Sequence, residues 1–337
     1  MRARPSSWSL LACLLCAPVL TACPGASEDE GGDEAGSETS GEVGEDTDTE
    51  VGESSESGES DETSSEESSS DGESSESTES ESTESEESSE AESSGTGGSS
   101  GCGAAPNVGS SVEVGGEERT FVLALPDNYD PDQAYPLVYA IHGLGGSGSL
   151  ASNYFGLAGV IGDDAIVVYP DGLPLPEFGN QPGWNLMPQG NDVAFFDALH
   201  EALTTQLCVD EDRVFATGHS FGGYMSNSLG CYRGDRFAAI APVAGGGPFF
   251  GACDGPMAVW ITHGSADDVV ELSEGLNSRD TWAELNGCDD GFGDVPPDGC
   301  VSYAGCEAAL HWCEHPGGHE WPAFAPAAIW AFFEAQG

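Results

Sequence analysis

"RVFATGHSFGGYMSN", residues 213–227, decides how the rest of the chain is read. Its centre, Gly218-His219-Ser220-Phe221-Gly222, fits G-x-S-x-G, but so does "GGSSG" at 97–101. The pattern separates nothing by itself, so the flanks have to. A β-rich run, Val214 to Thr217, precedes Ser220, and a helix-like run, Tyr224 to Leu229, follows it. Strand, tight turn and helix are what an exposed nucleophilic serine requires. Glycine at 218 and 222 lets strand and helix approach closely, and such a turn can hold the serine in a strained conformation. Its Oγ then stands above the strand ends, with N–H groups at the helix start facing a reacting carbonyl. "GGSSG" lies in low-complexity sequence without this context.

The wider chain repeats the same alternation. "RTFVLAL" (119–125), "PLVYAIHG" (136–143), "AIVVYP" (165–170), "RVFATG" (213–218), "FAAIAPVAG" (237–245) and "MAVWITHG" (257–264) are short apolar runs, most of them ending in Gly or Pro. Runs apolar on both faces predict buried parallel strands. Residues 192–207 place Val193, Phe196, Leu199, Leu203 and Leu207 on one helical face, and 273–286 and 324–335 also read as helices. The expected class is an α/β sandwich with a mostly parallel sheet.

A serine at neutral pH needs a base, and the base needs an orienting acid. On sheets of this kind the order along the chain is Ser, Asp/Glu, His. "HGSADDVV" places Asp267 and Asp268 in the loop after "MAVWIT", and "HPGGHEWP" presents His319 in a glycine-rich loop after "ALHWC". The spacing HG-x-x-D-x-x-V selects Asp267 as the acid, with Asp268 as the alternative. Two N–H donors are needed for an oxyanion. Phe221, directly after the nucleophile, supplies one, and Leu144 in the glycine loop of "AIHGLGGSG" is the candidate for the other.

Composition sets the surroundings. The 337 residues carry a formal charge of −53 and no lysine, which speaks against nucleic acid as a partner. Residues 23–101 are almost only Ser, Glu, Asp, Gly and Thr, and are expected to form a disordered tether reaching about 50 Å or more. "MRARPSSWSLLACLLCAPVLTAC" has the form of a secretory signal over 1–22, too short for a comfortable membrane span. Leu20-Thr21-Ala22-Cys23 looks like a bacterial lipobox, with Cys23 lipidated. That expectation places residues 102–337, one domain, outside the cell or on its outer envelope, touching membrane through N-terminal lipid only.

Of 11 cysteines, eight fall in the domain, an even set that implies disulfides in an exported protein. Cys208 precedes the strand leading to Ser220, and Cys231 ends the helix running back from it. Both are therefore expected at the same edge of the sheet, bridged to each other. The other six would pair among themselves around the Asp267 and His319 loops. No metal is expected. His311, His315 and His319 recur at helical spacing, but Pro316-Gly317-Gly318 breaks a helix there. The acidic stretch 289–299 lacks the spacing of a calcium loop.

At this point a family resemblance becomes specific. "GCG", "LPDNYD", "YPLVYAIHGLGG", "VVYPDG", "CVDEDRVFATGHSFGGYMS", "FAAIAPVAGGG", "HGSADDVV", "NGC", "YAGC" and "GGHEWP" stand in the order seen in secreted feruloyl esterases. The domain is also similar to the poly(3-hydroxybutyrate) depolymerase and acetylxylan esterase relatives in carbohydrate esterase family 1. The resemblance implies an α/β-hydrolase fold and a triad of Ser220, Asp267 and His319, with oxyanion donors at Leu144 and Phe221. It also implies a role near the cleft for Trp184 and structural support from Asp192. Tyr224 and Trp321, close in sequence to the triad, join Trp184 as expected substrate-binding residues. The expected activity is hydrolysis of hydroxycinnamoyl esters of plant cell-wall polysaccharide, by a monomer without a cofactor. Polyester oligomers and acetylated xylan are the alternative substrates. A peptidase and a non-catalytic surface binding protein on the same scaffold are the rival readings.

Overall fold

The computed structural model describes residues 98–249 and 251–337. The signal segment, Cys23 and the acidic stretch up to residue 97 lie outside the described residues.

Chain order begins with β1 (Ser111–Val114), β2 (Glu117–Ala124), β3 (Tyr135–Ile141), α1 (Gly148–Tyr154), α2 (Leu157–Ile161) and β4 (Ile166–Pro170). A small hairpin, β5 (Leu173–Leu175) and β6 (Gln181–Gly183), precedes α3 (Asn191–Gln206). Then come β7 (Val209–His219), α4 (Phe221–Tyr232), β8 (Ala239–Val243), β9 (Ala258–Gly264) and α5 (Leu272–Leu285). The last elements are β10 (Phe292–Val295), β11 (Cys300–Tyr303), β12 (Leu310–His315) and α6 (Ala325–Glu334). Among the described residues, ten strands form one sheet in the order β1-β2-β4-β3-β7-β8-β9-β12-β11-β10. The run from β4 to β12 is parallel, and antiparallel strands finish both edges.

Burial explains why the apolar runs became strands. Every residue of β3, β4, β8 and β9 is buried, which is the pattern of strands covered on both faces. Side chains alternate between two cores. Leu137, Tyr139 and Ile141 of β3 join Phe196, Leu199, Met225, Leu229 and Trp282 on one face. Val138 and Ala140 join Phe155, Leu157, Ile329 and Phe333 on the other. Helices α3, α4 and α5 therefore cover one side, and α1, α2 and α6 the other. The five α3 residues expected on one face are all buried, with Leu207 just past the helix end.

The serines of the two G-x-S-x-G matches lie at opposite ends of β7. Ser99 of "GGSSG" is buried beside the start of the strand, where its N–H donates to Val209 O at 2.8 Å and its Oγ to Leu207 O at 2.7 Å. Gly98 bridges Asp210, so residues 98–101 already pack on the domain. Ser99 is thus a pin at the foot of the sheet, and Ser220 stands at its top.

That same segment corrects the disulfide expectation. Cys208 bonds Cys102 and Cys231 bonds Cys253, so the two do not bond each other. Both do lie at the foot of the sheet, but each has a nearer neighbour. Residues 98–103 cover the start of β7, and the chain after β8 drops back to α4, where Asp254 N–H donates to Cys231 O at 2.9 Å. The remaining bridges, Cys288–Cys306 and Cys300–Cys313, flank the acidic stretch, which is the β10–β11 hairpin.

Candidate active site

Ser220 occupies the turn between β7 and α4 with φ 57° and ψ −121°. A positive φ crowds Cβ against the backbone, so a non-glycine residue there is held by its surroundings. Two contacts do this holding: Ser220 N–H donates to Val243 O at 2.9 Å, and Tyr224 N–H donates to Ser220 O at 3.1 Å. The flanking glycines are steric necessities. A Cβ at Gly218 would overlap the Gly222 carbonyl, and one at Gly222 would overlap the Ile141 carbonyl of β3. The strand and helix therefore meet as closely as the motif suggested.

The loops that carry Asp267 and His319 leave the same ends of β9 and β12 and are tied together. Ser265 N–H donates to His315 O at 2.8 Å, and Ala266 N–H to Gly317 O at 3.0 Å. A side chain at Gly264 would overlap the Gly317 and Gly318 carbonyls. This brings His319 Nδ1 within 2.8 Å of Asp267 Oδ2. Asp267 Oδ1 accepts from Val269 N–H at 3.0 Å and Val270 N–H at 2.9 Å. Burial pushes the Asp267 carboxyl up, but hydrogen bonds from His263, His319, Val270 and Val269 outweigh it and hold the group below the usual carboxylate range. Asp268, its neighbour, is exposed.

His219 faces His319 with ring centroids 4.8 Å apart. Burial, reinforced by the nearby His319, lowers its pKa to about 3. It is therefore a neutral ring at physiological pH.

The loop after β3 approaches Ser220 from the other side. A Cβ at Gly143 would lie 3.2 Å from Ser220 Cβ. This loop is held from below by His142. Gly172 N–H donates to His142 Nε2 at 2.9 Å, so the ring proton is on Nδ1, which donates to Gly143 O at 2.7 Å. Burial lowers the pKa of this histidine, in keeping with the neutral tautomer that the two bonds require. Gly145 N–H is taken by Pro182 O at 2.7 Å and Gly146 N–H by Gly143 O at 3.0 Å. The Leu144 and Phe221 amides donate to no protein acceptor among the described residues.

The three aromatic residues expected to bind substrate are all buried: Trp184 is 1 %, Tyr224 2 % and Trp321 8 % exposed. Trp184 donates its indole N–H to His142 O at 2.8 Å and so carries the loop that holds Leu144. Trp321 stacks on Phe155 at 4.2 Å and donates its indole N–H to Phe155 O at 3.1 Å. Tyr224 meets Phe221 edge to face. Packing claims these rings, so the surfaces open to a ligand belong to their neighbours. Asp192 is buried in an ion pair with Arg119 and accepts from Asn185 N–H at 2.6 Å, next to Trp184. The support role expected for it extends through Arg119, which lies over the Phe195 ring at 4.1 Å.

Sequence reasoning missed the β5–β6 hairpin. It is joined to the Leu144 loop through Pro182, and Phe178 at its tip meets Phe221 edge to face at 5.5 Å. Its signal was present in "LPLPEFGNQPG", where Pro176 starts a 3-10 turn and Gly179 and Asn180 take positive φ. Strands of three residues give too short a period to read. The histidine series 311, 315 and 319 is split between β12 and the loop beyond it, so the spacing is not helical.

Residues 162–247, from β4 through the Ser220 turn to β8, match the Prolyl oligopeptidase family (Peptidase_S9). Feruloyl esterase C of Emericella nidulans is 34% identical over 237 residues, covering 64% of this chain and 84% of the relative. Feruloyl esterase D of Neurospora crassa is 34% identical over 249 residues, covering 65% of this chain and 82% of the relative. Among solved structures, an acetyl xylan esterase from Aspergillus awamori superposes with a TM-score of 0.51 at 18% identity, over 64% of this chain and 93% of that one, a likeness of fold. The chain therefore belongs to the feruloyl esterase family, serine esterases built on the α/β-hydrolase fold.

Proposed function

We propose that this esterase releases hydroxycinnamic acids from esterified plant cell-wall polysaccharide. The observation that carries the chemistry is the 2.8 Å bond between His319 Nδ1 and Asp267 Oδ2, together with a serine held at φ 57° directly after His219, whose ring lies 4.8 Å from that of His319. Ser220 Oγ attacks the ester carbonyl and its proton passes to His319 Nε2. Asp267 orients the imidazole and stabilises its cation. The Leu144 and Phe221 amides receive the charge on the carbonyl oxygen. Collapse expels the alcohol, which takes the proton from His319 and leaves an ester on Ser220. Water, activated by the same histidine, then frees the acid and restores Ser220. No step calls for a cofactor.

The preference for an aromatic acyl group rests on the ring row beside Ser220. Phe178 meets Phe221, Phe221 meets Tyr224, and Tyr224 meets Phe249. Phe178 and Phe249 are its less buried ends. A cinnamoyl ring laid against Phe178 gains about 0.5–1.5 kcal/mol beyond area burial. Methyl ferulate should therefore be cleaved with higher kcat/KM than hydroxybutyrate oligomers or acetylated xylan. Phe178→Ala should lower kcat/KM on methyl ferulate roughly three- to tenfold more than on p-nitrophenyl acetate. Trp184→Ala, which loosens the loop that all esters use, should cost both substrates alike. A preference for hydroxybutyrate oligomers would move the assignment to the polyester alternative.

Four disulfides fit an oxidising compartment. We further propose that Cys23 is acylated and that the acidic residues 24–97, ahead of the packed segment 98–101, tether the enzyme to the outside of the envelope. Multiple acyl chains give near-permanent attachment. Cys23→Ser should abolish incorporation of labelled fatty acid in cells. Undiminished labelling of that variant would refute the anchor.

A further inference from the structure

His263, on β9, takes no part in the chemistry described above, yet it is fully buried against the acid loop. Its Nε2 lies 2.8 Å from Val270 O and 3.4 Å from Asp267 Oδ2. A carbonyl only accepts, so the ring proton is on Nε2, where one N–H serves two oxygens. The other nitrogen, Nδ1, has no hydrogen-bond partner among the described residues. It is sealed by α5, where a Cβ at Gly275 would overlap it. An apolar residue would fill this site without leaving a ring nitrogen unsatisfied, so packing alone does not explain a histidine.

The geometry of Asp267 supplies the reason. Its Oδ1 is fixed by the Val269 and Val270 amides, while its Oδ2 is shared between His319 Nδ1 and His263 Nε2. We propose that His263 is a positioning residue for the reaction. By gripping Val270 O and Asp267 Oδ2 together, it closes the 264–270 loop on itself and aims Oδ2 at His319. Drawing part of the Oδ2 charge, it also sets how strongly the carboxylate favours the cationic form of His319. The other titratable groups around this pair are His219 from the end of β7, Tyr224 from α4, Glu274 from α5 and His315 from β12. The inference rests on the reading of Ser220, Asp267 and His319 as the reacting groups.

The test compares His263→Leu, which fills the space without a donor, with His263→Gln, whose amide N–H can reach the Nε2 position. The pH dependence of kcat/KM is measured for each on a soluble ester, with thermal unfolding recorded alongside. His263→Leu should lose about 10- to 100-fold in kcat with KM little changed. The acid limb of its profile should move to higher pH by about half a unit or more, because the carboxylate charge falls on His319 alone. His263→Gln should recover most of the rate and the original limb. Equal losses in both variants with an unmoved limb would reduce His263 to packing and overturn the proposal. If His263→Leu does not fold, nitrogen NMR of the wild-type ring decides: a proton on Nε2 supports the proposal, and one on Nδ1 overturns it. Failure of the underlying reading has a different signature, since Asp267→Asn and His319→Ala would then remain active.

Discussion

Ser220→Ala should lower kcat/KM for a hydroxycinnamoyl ester by roughly 10⁴-fold or more while the domain folds normally. On the proposed mechanism Oγ is the atom that forms a bond to substrate, so the loss should fall on kcat. Stability separates this from damage. The backbone at 220 sits at φ 57°, ψ −121°, a conformation that alanine finds as unfavourable as serine. Ser220→Gly relieves that strain and should be the more stable of the two inactive variants, by about 1 kcal/mol. Thermal unfolding of the pair checks the strain, and ester hydrolysis checks the chemistry. An alanine variant retaining even a tenth of the wild-type rate would remove Ser220 from the mechanism.

Asp267→Asn should cost about 10⁴-fold in kcat, and Asp268→Asn almost nothing. The carboxylate accepts four N–H groups, two from backbone and two from imidazoles. An amide presents its own N–H where one of these donors points. Turned to satisfy Val269 and Val270, it opposes His319 Nδ1 with a donor and favours the wrong tautomer. The acid side of the stability curve should change too. Folding favours the ionised form of Asp267, so the stability this group contributes is present above its unfolded value near 3.8. It is lost as pH falls through the lower folded value. Asp267→Asn lacks that contribution at neutral pH and should lose less on acidification. Acid titrations of unfolding for both asparagine variants measure this. A larger catalytic loss in Asp268→Asn would reverse the assignment.

What the sequence revealed follows from the range of the forces involved. The Ser220 turn was legible because its glycines answer to contacts within a few residues and one neighbouring strand. The parallel strands were legible because burial on both faces leaves continuous apolar runs. The pairing of Asp267 with His319 was legible because their loops leave the ends of adjacent strands. The disulfides were not, since Cys102 follows a segment whose composition is that of the tether, yet residues 98–101 pack on β7. His142 and His263 were equally hidden. A buried histidine reads as core until its ring nitrogens can be matched to particular carbonyls and amides. Trp184 shows the converse, since the family resemblance suggested a role at the cleft, while the fold turns its ring inward beneath the Leu144 loop.

The purified domain is inactivated with a fluorophosphonate, a reagent that traps activated serine nucleophiles, and the labelled peptide is identified by mass spectrometry while methyl ferulate hydrolysis is followed. One label per molecule is expected, on Ser220, with hydrolysis lost in proportion to labelling. Hydrolysis that survives complete labelling of Ser220, or inactivation by a label on another residue, would contradict the role of Ser220.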